Sequence, residues 1–250
     1  MERLTSRQNP LVAHIRKLNS SKSCRRQAGE FTGEGPKLLE EALKANISLS
    51  VVVTAPGVEV PDCGKARRVE VPADLLAGMC DTKTPQGVLF VCALPDPAAP
   101  ERLEGSRYLV LDGVQDPGNV GTIWRTADAL GADGLILVHS CADPFSPKTV
   151  RSTMGACFRL PVYEVSEEEL PGLLARSGLP LYATALREDT VDIKTADLSR
   201  SAVVIGSEGK GISDALLNMS EKTLKIPMRE RCESLNAAVA ATIVLWEMYR

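Results

Sequence analysis

The sequence predicts an α/β protein in two parts, a large C-terminal unit on a mostly parallel sheet preceded by a smaller α/β unit. Three observations predict it. From Tyr108 onward, six short apolar runs alternate with mostly helical stretches, as parallel strands do when helices cover both faces of their sheet. Between Leu94 and Gly105 the chain reads Pro-Asp-Pro-Ala-Ala-Pro-Glu-Arg, with three prolines and no periodicity, which marks a boundary. Ahead of that break lies a shorter alternation of strand and helix signals. The expected divisions are residues 1–96, a linker 97–106, and residues 107–250.

Taken in order, the first 28 residues hold seven basic side chains (Arg3, Arg7, Arg16, Lys17, Lys22, Arg25, Arg26) against Glu2 alone, although the whole chain carries a net charge of −3. Such an arm reads as a solvated amphipathic helix or as a contact for nucleic-acid phosphates. Gly35-Pro36 opens a helix with proline at its first position; Leu38, Leu39, Ala42 and Leu43 form its apolar face, and Asn46 suits its exit. Strands are expected over 50–54, 67–71 and 88–93, with a helix over 72–79. Beyond the break, strands are expected over 108–111, 135–138, 162–165, 181–185, 203–206 and 224–226.

Composition excludes several function classes. With 250 residues, 44% hydrophobic and 24% charged, the chain has ordinary soluble composition. No run reaches the length of a membrane span and the N-terminus has no apolar segment of the secretory kind, so a cytoplasmic protein without a membrane partner is expected. Seven scattered cysteines, Cys232 among them, include no Cys-x-x-Cys pair and suit reduced thiols. The two histidines, His14 and His139, sit in no motif, so neither a metal site nor a Ser-His relay is expected.

Chemistry is sought in the loops after strand ends, where ligands gather in parallel sheets. The first such loop, 111–131, turns through Asp, Pro and Gly into a helix from about Asn119; Val120, Ile123, Trp124, Ala127 and Leu130 share its apolar face, and Arg125 stands on the flank. The second, 203–213, sets Gly206, Gly209 and Gly211 around Glu208. Its spacing matches neither the phosphate-loop nor the dinucleotide fingerprint, which argues against a nucleotide-dependent oxidoreductase. Three glycines let a backbone approach a ligand closely, and the carboxylate accepts hydrogen bonds. The third stretch runs from Leu224 through Pro227 to Ser234 and Asn236, cap candidates for an Ala-rich helix in which Ile243, Val244 and Trp246 demand burial.

Together, Asn-x-Gly-x-x-x-Arg in 119–125, Gly-x-Glu-Gly-x-Gly in 206–211, and Ile-Pro-Met followed by Ser-Leu-Asn in 226–236 resemble, in order, the three motifs of the SpoU-type RNA 2′-O-ribose methyltransferases of the SPOUT superfamily. Asn9-Pro10, Phe31 to Leu38 and Thr84 to Val88 are similar to that family's substrate-binding domain. The resemblance implies a C-terminal α/β trefoil-knot domain, a smaller N-terminal RNA-binding domain, S-adenosylmethionine as cofactor without a metal, and a homodimer across the knot. It implies that Gly206, Ile226 and Leu235 meet the cofactor through their backbones, with Gly211 in the same loop and Thr184 lining the adenosine side. Asn119, Arg125, Glu208, Ser234 and Asn236 are implied as the polar set around the reacting ribose. The substrate expected is ribosomal RNA; a transfer-RNA enzyme and a non-catalytic RNA-binding or ribosome-assembly protein are the alternatives.

These residue types suit methyl transfer. A sulfonium is already an activated methyl donor, so the protein mainly orients a hydroxyl towards it, a contribution of up to about 7–11 kcal/mol. Arginine, with a pKa above about 12, rarely gives up a proton. Arg125 is therefore either a bidentate clamp on the neighbouring phosphate or, beside that phosphate, a base.

Overall fold

The structure, a computed structural model, describes residues 2–185, 187, 190–229 and 234–250. They fall into two units, Met1–Asp96 with Asp143–Phe158, and Pro97–Ala142 with Arg159–Arg250.

The first unit runs β1 (Glu2–Arg3), α1 (Pro10–Ser20), α2 (Lys22–Ala28), β2 (Glu30–Glu34), α3 (Pro36–Lys44), β3 (Leu49–Thr54), β4 (Arg67–Glu70), α4 (Ala73–Ala77) and β5 (Val88–Ala93), with sheet order β1-β4-β3-β5-β2. Local chemistry sets the boundaries. Asn9 Oδ1 accepts the Leu11 amide at 2.9 Å and Pro10 opens α1; Pro36 opens α3, and Asn46, at φ 54°, ends it in the left-handed conformation asparagine tolerates. Val12, Ile15 and Leu18 of α1 pack on Val51, Val53 and Val69 of the sheet. β2, Glu-Phe-Thr-Gly-Glu, was not expected because Phe31 is its one large apolar residue and Gly33 disfavours a strand. The glycine is required there, since Phe90, its cross-strand partner, lays its ring where a Cβ would stand.

The acids that neutralise the N-terminal arm come from far along the chain. Arg3 pairs with Glu70 at 2.8 Å and Arg7 with Asp74 at 2.7 Å, and the Arg16 guanidinium donates to the Gly78 carbonyl at 3.0 Å. Arg25 is 4% exposed, held between the Leu18 carbonyl and Asp143. The charge count thus overstates the free positive surface of this arm.

The second unit runs β6 (Arg107–Asp112), α5 (Pro117–Ala129), β7 (Gly134–Val138), then, after α6 (Pro147–Thr153), β8 (Val162–Glu164), α7 (Leu170–Ser177), β9 (Leu181–Thr184), β10 (Val191–Asp192), β11 (Ser201–Gly206), α8 (Asp214–Met219), β12 (Lys222–Lys225) and α9 (Ala237–Tyr249). Its sheet is parallel throughout, in the order β10-β12-β9-β11-β6-β7-β8. Helix α9 packs on α5 and β11, and α5 on β7, while Leu170, Leu173 and Leu174 of α7 join Val110, Ile136 and Val204 in a core cluster. Strands covered on both faces explain the continuous apolar runs.

Three expectations need correction. Residues 97–106 pack as part of the second unit: the Pro97 carbonyl accepts the Glu164 amide at 2.9 Å, and Leu103 is buried with its amide on Ser177 Oγ. Asp143–Phe158 groups with the first unit although it lies between β7 and β8, because Phe145 and Phe158 stack on Phe31, with centroids 5.0 and 6.2 Å apart, and Asp143 takes Arg25. In α9, Val244 and Leu245 are buried, worth about 1.5–3 kcal/mol each, but Trp246 is 55% exposed. The described cysteines are free thiols, and Cys232 lies outside the described residues.

Candidate active site

Strands β9, β11 and β12 end side by side, Thr184 opposite Leu224 and Ala183 opposite Val204. At their carboxyl ends opens a cavity of about 410 Å³, within the size range of small-molecule sites. Thr184, Gly206, Glu208, Gly211, Ile226, Ser234 and Leu235 all line it, together with Ile205, Ile212 and Leu224.

The glycine loop is shaped by backbone contact. Ser207 and Gly211 exchange two hydrogen bonds, of 3.0 and 2.9 Å, and Gly211 sits at φ +69°. A Cβ on Gly206 would lie 2.6 Å from the Ile212 nitrogen and closer still to the Gly211 carbonyl group, so only glycine fits without moving the loop. Thr184 donates its hydroxyl to the Val204 carbonyl at 2.8 Å, which leaves its oxygen an acceptor.

Beside the cavity stands a chain of side-chain amides whose polarity is fixed from one end. Asn236 caps α9, its Oδ1 accepting the amides of Ala238 and Val239 at 2.9 and 3.3 Å. Its Nδ2 must then donate, and does so to Asn119 Oδ1 at 3.2 Å. Asn119 is thereby oriented with Nδ2 donating to Glu208 Oε1. Asn119 is itself held by Asp116, which caps α5 through the Asn119 amide at 2.9 Å. One carboxylate oxygen of Glu208 is committed to this chain, and the other is open to a ligand hydroxyl.

Arg125 is not brought to this place. It is exposed and lines a groove between α5 and α9 with Ala129, Leu130, Ile243 and Trp246. Six residues at about 100° each separate it from Asn119, so the two point to different sides of α5. Ser234 lines the cavity, and the preceding residues 230–233 lie outside the described set.

Sequence reading missed a cluster around the buried Asp112 at the end of β6. Asp112 Oδ2 accepts the Ser213 amide at 2.7 Å and Oδ1 meets His139 Nδ1 at 2.6 Å, while His139 Nε2 meets Glu167 at 2.7 Å. The hydrogen bond to Asp112, and next that to Glu167, raise the His139 pKa above its ordinary value, with partial burial opposing. Ser213 caps α8, so Asp112 ties the exit of the glycine loop to the sheet. An aspartate directly after a buried strand, in Leu111-Asp112-Gly113, was the available signal. No group of His, Cys, Asp and Glu among the described residues is arranged to hold a metal ion.

The sequence profile of the SpoU rRNA methylase family matches residues 106–246, the span that carries β6, the glycine loop and the Asn236 cap. The chain belongs to the SpoU rRNA methylase family. A second profile, the MRM3-like substrate binding domain, matches residues 9–89. Over 99% of its length this SpoU family member is 33% identical to the 23S rRNA (guanosine(2553)-2′-O)-methyltransferase RlmP of Bacillus subtilis, covering 99% of that protein. It superposes with a TM-score of 0.88 and 34% identity on an AdoMet-bound rRNA methyltransferase from Sinorhizobium meliloti, covering 99% of this chain and 97% of that one. With the SpoU methyltransferase AviRb from Streptomyces viridochromogenes in complex with AdoMet the TM-score is 0.87 at 29% identity, over 97% of each chain.

Proposed function

We propose that this protein transfers the methyl group of S-adenosylmethionine to a ribose 2′-hydroxyl of ribosomal RNA. The observation that carries the reading is Glu208, which both lines the strand-end cavity and ends the oriented Asn236–Asn119 chain. The cavity fits the cofactor by its chemistry: apolar walls from Ile205, Ile212, Ile226 and Leu235, an acceptor at Thr184, and a glycine loop that lets backbone groups approach. Thr184, Gly206, Gly211, Ile226 and Leu235 would hold it, and when bound it supplies a methyl group already activated as a sulfonium.

The chain's own part is to place and prepare the hydroxyl. Asn119 fixes one oxygen of Glu208, so the second accepts a hydrogen bond from the incoming ribose, with Ser234 on the same wall. Asn236 orients Asn119 and starts α9, so the site and the helix are set by one side chain. Arg125 completes the polar set as a clamp on the adjacent phosphate. Arg125 lines the α5–α9 groove away from the cavity of its own chain, and in this reading a second copy docked on that groove brings the two together.

That reading includes a homodimer. Val239, Trp246 and Tyr249 of α9 are 49%, 55% and 60% exposed beside the Arg125 groove, an apolar patch that a second copy would cover. The reading also includes a trefoil knot in this domain, as membership of the SpoU family and the resemblance to the SPOUT superfamily imply. Residues 1–96, matched in large part by the substrate-binding profile, would bind RNA, with catalysis carried by the C-terminal domain. The reading has the enzyme acting on ribosomal RNA in the cytoplasm, with no step routed through a metal. Among the described residues, no helix is long and apolar enough to cross a membrane. Incubating the full chain with methyl-labelled S-adenosylmethionine and ribosomal RNA tests the reading: label in ribose 2′-O positions is expected, and label only in bases, or none, overturns it.

A further inference from the structure

The first unit holds a cavity of its own, about 330 Å³, lined by Glu34, Lys37, Thr82, Gln86, Arg151 and Met154. Glu34 is not a free anion in it. Its oxygens accept the amides of Asp81 and Thr82 at 2.5 and 3.3 Å and the Thr82 hydroxyl at 2.8 Å, so both oxygens are turned to the loop at 81–82. Asp81 in turn takes Arg151 Nη2 at 3.1 Å. What remains open is cationic and donating. Lys37 is exposed with no ion pair among the described residues, and Arg151 lines the cavity with its side chain 39% exposed, its Nη1 lying beneath that surface without a hydrogen-bond partner. The first turn of α3 opens on the same cavity, and its cap, Gly35, makes no side-chain hydrogen bond to it. The remaining wall is apolar: Leu38, and Met154, a residue 39% exposed at a backbone φ of 50°.

A ligand matched to these walls carries an anion for Lys37 and Arg151, a hydrogen-bonding edge for Gln86 and Thr84, and a flat apolar face for Met154. One nucleotide has all three. The volume admits a single nucleotide, and a base reaches such a recess only when unstacked, since duplex RNA presents shape and backbone rather than splayed bases. We propose that this cavity receives one unstacked nucleotide of the RNA substrate, phosphate on Lys37 and Arg151, base against Met154. The inference rests on the reading that the substrate is RNA.

The test uses the full-length protein and a fluorescent single-stranded oligoribonucleotide of about 12 nucleotides, of mixed sequence. Lys37→Ala and Gln86→Ala change exposed side chains, and each is expected to weaken binding about 5- to 10-fold, with Lys37→Ala lowering the log–log salt slope by about 0.7, one phosphate on a single strand. Met154→Gln should weaken binding while leaving that slope unchanged. The same oligonucleotide paired into a duplex should bind less well and be indifferent to all three changes. Unaltered S-adenosylmethionine binding in each variant shows the effect to be local. Single-strand affinity unchanged in the variants, while ribosomal RNA is still methylated, overturns the cavity and leaves the function standing. Loss of both RNA binding and methylation in the wild-type protein overturns the two together. Tight binding of free nucleoside monophosphate at the cavity, with no competition from the oligonucleotide, assigns it to a small molecule and overturns the proposal.

Discussion

Asn236→Asp separates two tasks that one side chain performs. In the native chain Asn236 Oδ1 accepts two α9 amides and Nδ2 donates to Asn119 Oδ1 at 3.2 Å. Aspartate keeps the cap, and its charge suits a helix N-terminus by about 0.3–1 kcal/mol, so the melting temperature should hold or rise slightly. It cannot donate, and it sets a carboxylate oxygen against an amide oxygen. If Asn119 turns its amide to relieve this, its oxygen then faces Glu208. That turn loses the hydrogen bond to the charged Glu208, about 1.5–3 kcal/mol, or about 10- to 140-fold in kcat/KM; without it, the neutral Asn236–Asn119 bond is lost and a carboxylate faces the Asn119 oxygen, so Asn119 is no longer oriented and activity falls less. Asn236→Ala removes both tasks: activity falls, and loss of the cap, about 1 kcal/mol, lowers the melting temperature by about 2–4 °C. Methyl transfer to ribosomal RNA and thermal unfolding are measured on both variants. Wild-type kcat/KM in Asn236→Asp would refute the idea that the amide chain prepares Glu208.

Gly206→Ala should lose S-adenosylmethionine affinity in calorimetry by at least about tenfold, because the added methyl meets the Gly211–Ile212 backbone; unchanged affinity would show that the loop moves freely. Arg125→Ala should bind the cofactor normally and lose methyl transfer, and an equal loss of cofactor affinity would contradict its place on the RNA side. Trp246→Glu should turn a dimer into a 26.8 kDa monomer without activity, judged by sedimentation, and a fully active monomer would sink the dimer. His139, whose folded pKa is raised above 6.5, contributes stability fully present below pH 6.5 and lost as pH rises through the folded value. Denaturant midpoints for wild type and His139→Gln should therefore converge as pH rises, and a constant difference across that range would remove His139 from the account.

The sequence made visible what is local or periodic. Six of the parallel strands, β6, β7, β8, β9, β11 and β12, were readable because their burial leaves short apolar runs, whereas the two-residue β10 was not; Asn46 and Asn236 were readable as helix ends because their side chains suit those positions. What it hid depends on distant partners. The charge of the N-terminal arm is answered by Glu70, Asp74 and Asp143, so Arg25, countable as a phosphate contact, is a buried structural side chain. His139 is in no motif, yet finds Asp112 and Glu167, 27 and 28 residues away. The five polar residues implied by the family resemblance also divide: Asn119, Glu208 and Asn236 are joined by hydrogen bonds and Ser234 lines the same cavity, whereas helical geometry carries Arg125 to the α5–α9 groove.

The central claim is that the strand-end cavity serves 2′-O-methylation of ribosomal RNA. The most direct measurement maps 2′-O-methyl positions in ribosomal RNA from cells that carry the protein, cells that lack it, and cells given Glu208→Gln or Arg125→Ala in its place. The account predicts at least one ribose that is methylated with the wild-type chain and unmethylated in the other three. Identical maps in all four would contradict it.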